Sequence, residues 1–445
     1  MTSKKIHLAI ALASLSIGST AFAQTQPIDV PSSAYGPTWT GAYLGAAVGI
    51  EAMVNRANLS GFGSSLNVDG LGGQGAFGSI YGGFDYQFMP QALIGALAEL
   101  SYGGLDSTVS AQVPGAGANL TTHPDLGWAL LLRAGVLPTP STLLYAIGGY
   151  TGQSIHTTAS AFGGGGSAFL DSRDTFNGWT IGTGIETKLG AGWAGKIEYR
   201  YSQYEQKTLP NTNLSLWPSI HTARLGLSYR FGAPGGATAE AAQAASERKV
   251  NWTGIYLGGA AGAGALNNNV NASFGGASAN ANTGGQGLLG SVFVGADYQF
   301  TDHVLVGLMG DLTWPNLQTT TSSAGGNAFA SVNSRQNMTW SVLGRVGFLP
   351  TPSTLLYAAA GYTGTTFTTS VSAGAGGAFA SSSQDTTLGG WTIGPGVEMR
   401  IADGWSTRVE YRYTQFGQAS AYGATFQPSN QTVRAGLSYK FGVGN

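Results

Sequence analysis

The chain of 445 residues carries five histidines and no cysteine, which narrows its chemistry at once. Without thiols there can be neither disulfides nor thiolate metal sites. His7 lies near the N-terminus, His123, His156 and His221 fall in or beside connections of the first half, and His303 sits at a turn of the second. None has the spacing of metal ligands, and no axial-ligand set for a cofactor is visible. Ser219-Ile-His221 comes nearest to a nucleophile with its base, and His221 is read as an ordinary residue at the end of a connection. Gly182-x-Gly184 and the run Gly163–Gly166 lack the strand-to-helix context of a phosphate loop and are read as packing and loop. No catalytic, cofactor-binding or metal-binding residue is therefore assigned, and the chain is not expected to be an enzyme.

The ionic side chains are more informative, because they recur. Asp85, Glu99, Arg133, Glu186, Lys188, Lys196, Glu198, Arg200, Arg224 and Arg230 correspond in order and sign to Asp297, Asp311, Arg345, Glu398, Arg400, Arg408, Glu410, Arg412, Arg434 and Lys440. The whole chain is built this way. Trp39 returns as Trp252, Leu137–Ala146 as Leu349–Ala358, and Leu227–Phe231 as Leu437–Phe441. The period is far beyond the roughly 20–50 residues of a solenoid repeat, so each copy is a whole domain.

The elements that position these charges read as strands. In the first copy, stretches of alternating character lie near 39–49, 77–88, 92–103, 127–137, 142–152, 178–189, 193–204 and 221–231. Most have about 9–12 residues, the length that a tilted strand needs to cross a bilayer. In Trp193–Tyr201 the odd positions hold Trp193, Ile197, Tyr199 and Tyr201 and the even ones Lys196, Glu198 and Arg200, which is period two with one apolar and one charged face. The connections alternate in length. Met89–Gln91, Pro138–Ser141 and Gly190–Gly192 are tight turns, and long stretches rich in Gly, Ala, Ser, Asn and Thr lie between them. Short turns on one side and long loops on the other are the pattern of bacterial outer-membrane barrels.

Composition agrees. Only 9% of residues are charged, against about 25% in a soluble domain, so something other than water must cover part of the surface. No run of 18 apolar residues follows the N-terminal segment. A formal net charge of −1 argues against nucleic acid. Residues 1–23 have the basic start, apolar stretch and Ala21-Phe-Ala23 end of a cleaved signal peptide, with an uncleaved anchor as the alternative.

On a lipid-facing wall each Arg or Lys near the midplane would cost roughly 2–4 kcal/mol. Six bases per copy would then cost on the order of a whole folding free energy. The predicted interior network is therefore Asp85, Glu99, Arg133, Glu186, Lys196, Glu198, Arg200 and Arg224, with Asp297, Asp311, Arg345, Glu398, Arg408, Glu410, Arg412 and Arg434 in the second copy. Trp39, Trp128, Trp179 and Trp193, with Trp252, Trp340, Trp391 and Trp405, begin strands and are expected to form aromatic belts at the two membrane interfaces; sandwich-core packing is the other reading.

Three motifs carry a resemblance: Trp-Thr-Gly-x-Tyr-Leu-Gly at Trp39–Gly45 and Trp252–Gly258, Glu-Tyr-Arg-Tyr at Glu198–Tyr201 and Glu410–Tyr413, and the closing Leu-Ser-Tyr-Arg/Lys-Phe. In this order, twice over, the chain resembles the small outer-membrane immunogenic proteins, eight-stranded β-barrels related to OmpA and OmpX. The resemblance implies export to the outer membrane, insertion by the outer-membrane assembly machinery and surface exposure. Phe441 is followed by Gly442–Asn445, a departure from a terminal aromatic.

The resulting expectation is an all-β transmembrane antiparallel up-and-down barrel protein with two tandem eight-stranded units at 38–231 and 251–445. They are preceded by a segment at 24–37 and joined by a periplasmic linker at 232–250. The alternative is one sixteen-stranded barrel. Expected partners are outer-membrane lipid and lipopolysaccharide, the assembly machinery and, at the loops, host or environmental ligands. The functional reading is a structural surface protein. A passive sixteen-stranded porin and a lipid-modifying barrel enzyme are the other two. The second-copy connections at 265–286, 315–337, 365–388 and 417–430 hold only Arg335 and Asp385 as charged residues, so they cannot grip ions strongly.

Overall fold

A computed structural model describes residues 39–61, 63–209, 212–231 and 251–441; the expected signal peptide, the 24–37 segment and the 232–250 connection lie outside them. Within the described residues, side chains alternate between two faces along every strand that the sequence marked. In the stretch around Arg133, Leu130 and Leu132 are 58% and 70% exposed, while Leu131 and Arg133 are 2% and 3% exposed. Period two thus separates an apolar outer wall from a filled interior.

The first copy contains β1 (Gly41–Gly61), β2 (Ser64–Met89), β3 (Ala92–Gly103), β4 (Ser107–Val113), β5 (Ala116–Thr139), β6 (Thr142–Gly163), β7 (Gly166–Gly190), β8 (Trp193–Tyr204), β9 (Lys207–Thr208) and β10 (Leu214–Arg230). The second contains β11 (Gly254–Phe274), β12 (Ala277–Gln299), β13 (Val304–Pro315), β14 (Gln318–Gly325), β15 (Ala328–Thr351), β16 (Thr354–Ala375), β17 (Ala378–Arg400), β18 (Trp405–Phe416), β19 (Ala419–Ala421) and β20 (Ala424–Phe441). All pairings are antiparallel.

The register closes each copy on itself. β1 pairs with β2 from Gly41↔Asp85 and, on its other edge, with β10 from Tyr43↔Arg230 to Leu59↔Leu214. β11 pairs with β12 from Gly254↔Asp297 and with β20 from Ile255↔Phe441 to Ala272↔Ala424. β10 has β1, β8 and β9 as its neighbours. The edge that a single continuous barrel would offer to β11 is therefore already occupied.

The strands run much longer than expected. β2 has 26 residues and β7 has 25, whereas a bilayer crossing needs about 9–11. The Gly-, Ser- and Asn-rich stretches read as loops are the outer halves of β-hairpins. Gly163 faces Gly166 across β6 and β7, and Gly164 and Gly165 turn the chain at φ 59° and 82°. Gly376 and Gly377 do the same at 58° and 91° between β16 and β17. Two successive left-handed positions suit the strand twist and let a hairpin zip to its tip. At these tips Phe329 and Phe379 stack on each other, and Phe426 is buried.

Candidate functional site: two charged, filled lumens

All sixteen predicted interior charges lie inside the two copies and are buried, as are Lys188, Arg230, Arg400 and Lys440. Strand register puts opposite charges side by side: Glu186 faces Lys196 across β7 and β8, and Glu198 faces Arg224 across β8 and β10. The second copy repeats this with Glu398 facing Arg408 and Glu410 facing Arg434. Direct cross-strand pairs of opposite sign are mutually stabilising.

Two clusters result in the first copy. Nearer the short turns, Arg133 donates to Asp85 (Nε–Oδ1 2.7 Å) and Glu186 (2.7 Å), and Arg230 to Asp85 (2.6 Å) and Glu186 (3.1 Å). Above them Arg200 forks onto both oxygens of Glu99 (3.1 and 3.0 Å), Arg224 donates to Glu99 (2.5 Å), and Arg200 reaches Glu198 at 2.6 Å. In the second copy Arg345 holds Asp297 and Glu398 (2.8 Å), Lys440 donates to Asp297 (2.6 Å), and Arg412 and Arg434 meet at Asp311 (2.5 and 3.2 Å). Planar guanidinium forks are suited to such shared carboxylates.

Bases outnumber acids among the recurring charges, and several also lie over aromatic rings. Lys196 lies 3.6 Å from the Tyr81 ring centroid, and Arg408 lies 3.3 Å from that of Phe293. Desolvated cation–π contacts of this kind are worth about 2 kcal/mol. The charge array is itself enclosed by apolar packing. Trp39, Leu93, Leu137 and Leu143 fill the short-turn end, and Met53, Leu105, Phe176 and Leu216 fill the hairpin end. The second copy repeats both layers.

Some residues of this interior were not anticipated. The Tyr145 hydroxyl donates to Glu198 at 2.7 Å, and Tyr357 donates to Glu410 at the same distance. Gly184 makes the room, since a Cβ there would lie 2.5 Å from the Tyr145 hydroxyl oxygen. Recurrence of Leu-Leu-Tyr-Ala in both copies was the available signal. Glu51 is also buried in the first lumen, where the second copy has Gly264.

The tryptophans divide. Trp128, Trp179, Trp193, Trp340, Trp391 and Trp405 lie on the outer face, and each packs on a tyrosine: Tyr150, Tyr201, Tyr229, Tyr362, Tyr413 and Tyr439. Trp39 and Trp252 correct the belt assignment. Both are fully buried, with the indole N–H donating to the carbonyls of Pro140 and Pro352 (2.9 Å each) and the rings under Arg230 and Arg400. Counting by twos from Trp39 leads to Tyr43 and Ala47, the interior side, so parity foretells this position.

His221 also departs from expectation. It lies within β10, not at a loop end, and it is buried on the outer face, where Tyr199 OH donates to Nδ1 (2.6 Å) and Nε2 is 2.9 Å from Gln286 Oε1. Ser219 Oγ instead contacts the Val54 carbonyl and Gln286 Oε1, at 2.9 Å each. His123 and His156 pair with Asp106 and Asp171 (2.7 Å each), and His303 faces the Leu349 carbonyl. Among the described residues no group of three His, Asp or Glu side chains could hold a metal.

The model of the outer membrane protein beta-barrel domain matches residues 9–231 and again 234–441. The chain belongs to this family. It is 26% identical over 202 residues to the 31 kDa outer-membrane immunogenic protein of Brucella melitensis biotype 1, covering 44% of this chain and 84% of that one. It is 31% identical over 196 residues to the 22 kDa outer membrane protein of Rhizobium leguminosarum bv. viciae, covering 44% and 79%. Among solved structures, the attachment invasion locus protein Ail of Yersinia pestis is 13% identical over 43% of this chain and 99% of its own, with a TM-score of 0.23. The protein is thus an outer-membrane β-barrel protein whose family domain occurs twice.

Proposed function

We propose that this outer-membrane protein is a non-enzymatic structural component with two separately closed, solidly filled barrels that display paired hairpins at the cell surface. In this reading the short turns face the periplasm and the hairpins face outward. Lipopolysaccharide and phospholipid cover the aliphatic wall, and the assembly machinery inserts the chain. The observation that carries the reading is the lumen itself, where a cross-strand ion network lies between two apolar layers in each copy. β3 and β4 share the neighbour β5, and β8 and β9 share β10, as do their counterparts in the second copy. Each copy thus counts eight strands around, an interior that side chains can fill, whereas sixteen leave a water channel.

Reconstitution in planar bilayers tests it. The purified protein should give no stable conductance of porin size, and its folded form should migrate faster than the boiled form on a gel. A large, steady open conductance would show that the lumens are joined or open. Hydrolysis of phospholipid or lipid A that disappears in His221→Ala would remove the non-enzymatic reading.

A further inference from the structure

The outer wall of each copy carries one polar stripe, and the other copy bonds to it. Gln74, Ser219 and His221 face outward on β2 and β10, and Ser219 and His221 are buried there although Leu225 and Leu227 further along the same face of β10 are exposed. Ser219 and Tyr201 of the first copy bond Gln286 of the second (2.9 and 3.4 Å). Reciprocally, Ser429 and Tyr413 of the second copy bond Gln74 of the first (3.0 and 3.3 Å). These are the same contact made twice, because Gln74 corresponds to Gln286, Tyr201 to Tyr413 and Ser219 to Ser429.

Other contacts join a residue to its own counterpart. The Thr142 and Thr354 hydroxyls are 2.9 Å apart. Ala52 and Ala265 are buried in one cluster, and Ile185 and Val397 in another. Gly72 and Gly284 meet so closely that a Cβ on Gly284 would lie 2.9 Å from Gly72 Cα. Beyond them the hairpins cross over: β2 pairs with β14 from Thr321↔Val68, and β12 pairs with β4 from Ala281↔Val109. Each copy thereby shields an open strand edge of the other, which would otherwise invite foreign pairing. Reciprocal contacts, together with self-matched ones along a line, define a two-fold isologous interface.

We infer that the chain is a fused dimer: each barrel is the docking partner for which the other's polar outward stripe is shaped, and the two hold together without their covalent connection. This rests on the two-barrel reading above. Porin-size conductance would end that reading, whereas the experiment that follows can fail while the lumens stay closed.

A protease site is introduced between residues 232 and 250 of the full chain, and the folded, purified protein is cut in mild detergent. The two halves should co-elute as one particle. Because the chain lacks cysteine, Thr142→Cys with Thr354→Cys should form a disulfide that keeps the cut chain as one band on a non-reducing gel, while Leu130→Cys with Val342→Cys, a remote control at exposed wall positions, should not. Gln74→Leu with Gln286→Leu should lower the temperature at which the cut halves part and leave the heat-dependent gel shift of each half intact. Elution of the unsubstituted cut halves as separate particles would overturn the inference, and so would a Thr142/Thr354 crosslink no greater than the remote control.

Discussion

Arg133 shows what one side chain contributes to this interior. It is the shared donor for Asp85 and Glu186, and its guanidinium also lies over the Tyr43 ring at 4.7 Å. Arg133→Ala would leave two carboxylates buried with a diminished partner, a loss of about 3–5 kcal/mol. Urea unfolding in detergent, followed by tryptophan fluorescence, should record it. Tyr145→Phe removes only one donor to Glu198 and should cost less, about 1.5–3 kcal/mol, by the same assay. Trp39→Ala should cost about 3–5 kcal/mol because the ring is fully enclosed, and Trp193→Ala, on the outer face, clearly less. The inward direction of the charges was legible from parity and the cost of charge in lipid. Tyr145 was not, because a tyrosine at that position is equally at home against lipid or under a glutamate.

At the scale of elements, the alternation along β8 and the tight turn at Pro138–Ser141 were readable because both depend on neighbouring residues. The outer hairpins were not. Runs of Gly, Ser, Thr and Asn suit a loop and an exposed ladder equally well, and which forms depends on whether a partner strand is aligned. The turn at Gly164–Gly165 lies at the tip of a fully paired hairpin, so a peptide tag inserted there should leave the gel shift unchanged and be labelled on intact cells. The same tag at Thr139–Ser141 should be labelled only after the outer membrane is breached. Labelling with the opposite sidedness would reverse the orientation proposed for the barrels.

The whole molecule adds what neither residues nor strands contain. Its two copies each spend an outward stripe on the other, and the glycine contact at Gly72 and Gly284 sets how near they come. Gly284→Val should therefore weaken the association of the protease-cut halves, seen as earlier separation on warming, while each half keeps its compact gel mobility. His221 belongs to this scale as well. Its corresponding residue is Gln431, whose side-chain amide donates to the Glu51 carbonyl at 3.4 Å, so the dyad is approximate where the sequences have drifted.

The sequence by itself determined that the chain is a duplicated antiparallel barrel of the outer membrane, with its ions turned inward. Period two and the cost of charge in lipid act within one strand and need no knowledge of neighbours. Tertiary structure alone decided that β10 returns to β1, that the long polar stretches zip into hairpins, and that Ser219 and His221 face the other copy instead of lipid. Strand edges carry the same backbone donors and acceptors everywhere, so only the closed three-dimensional arrangement selects which of them meet.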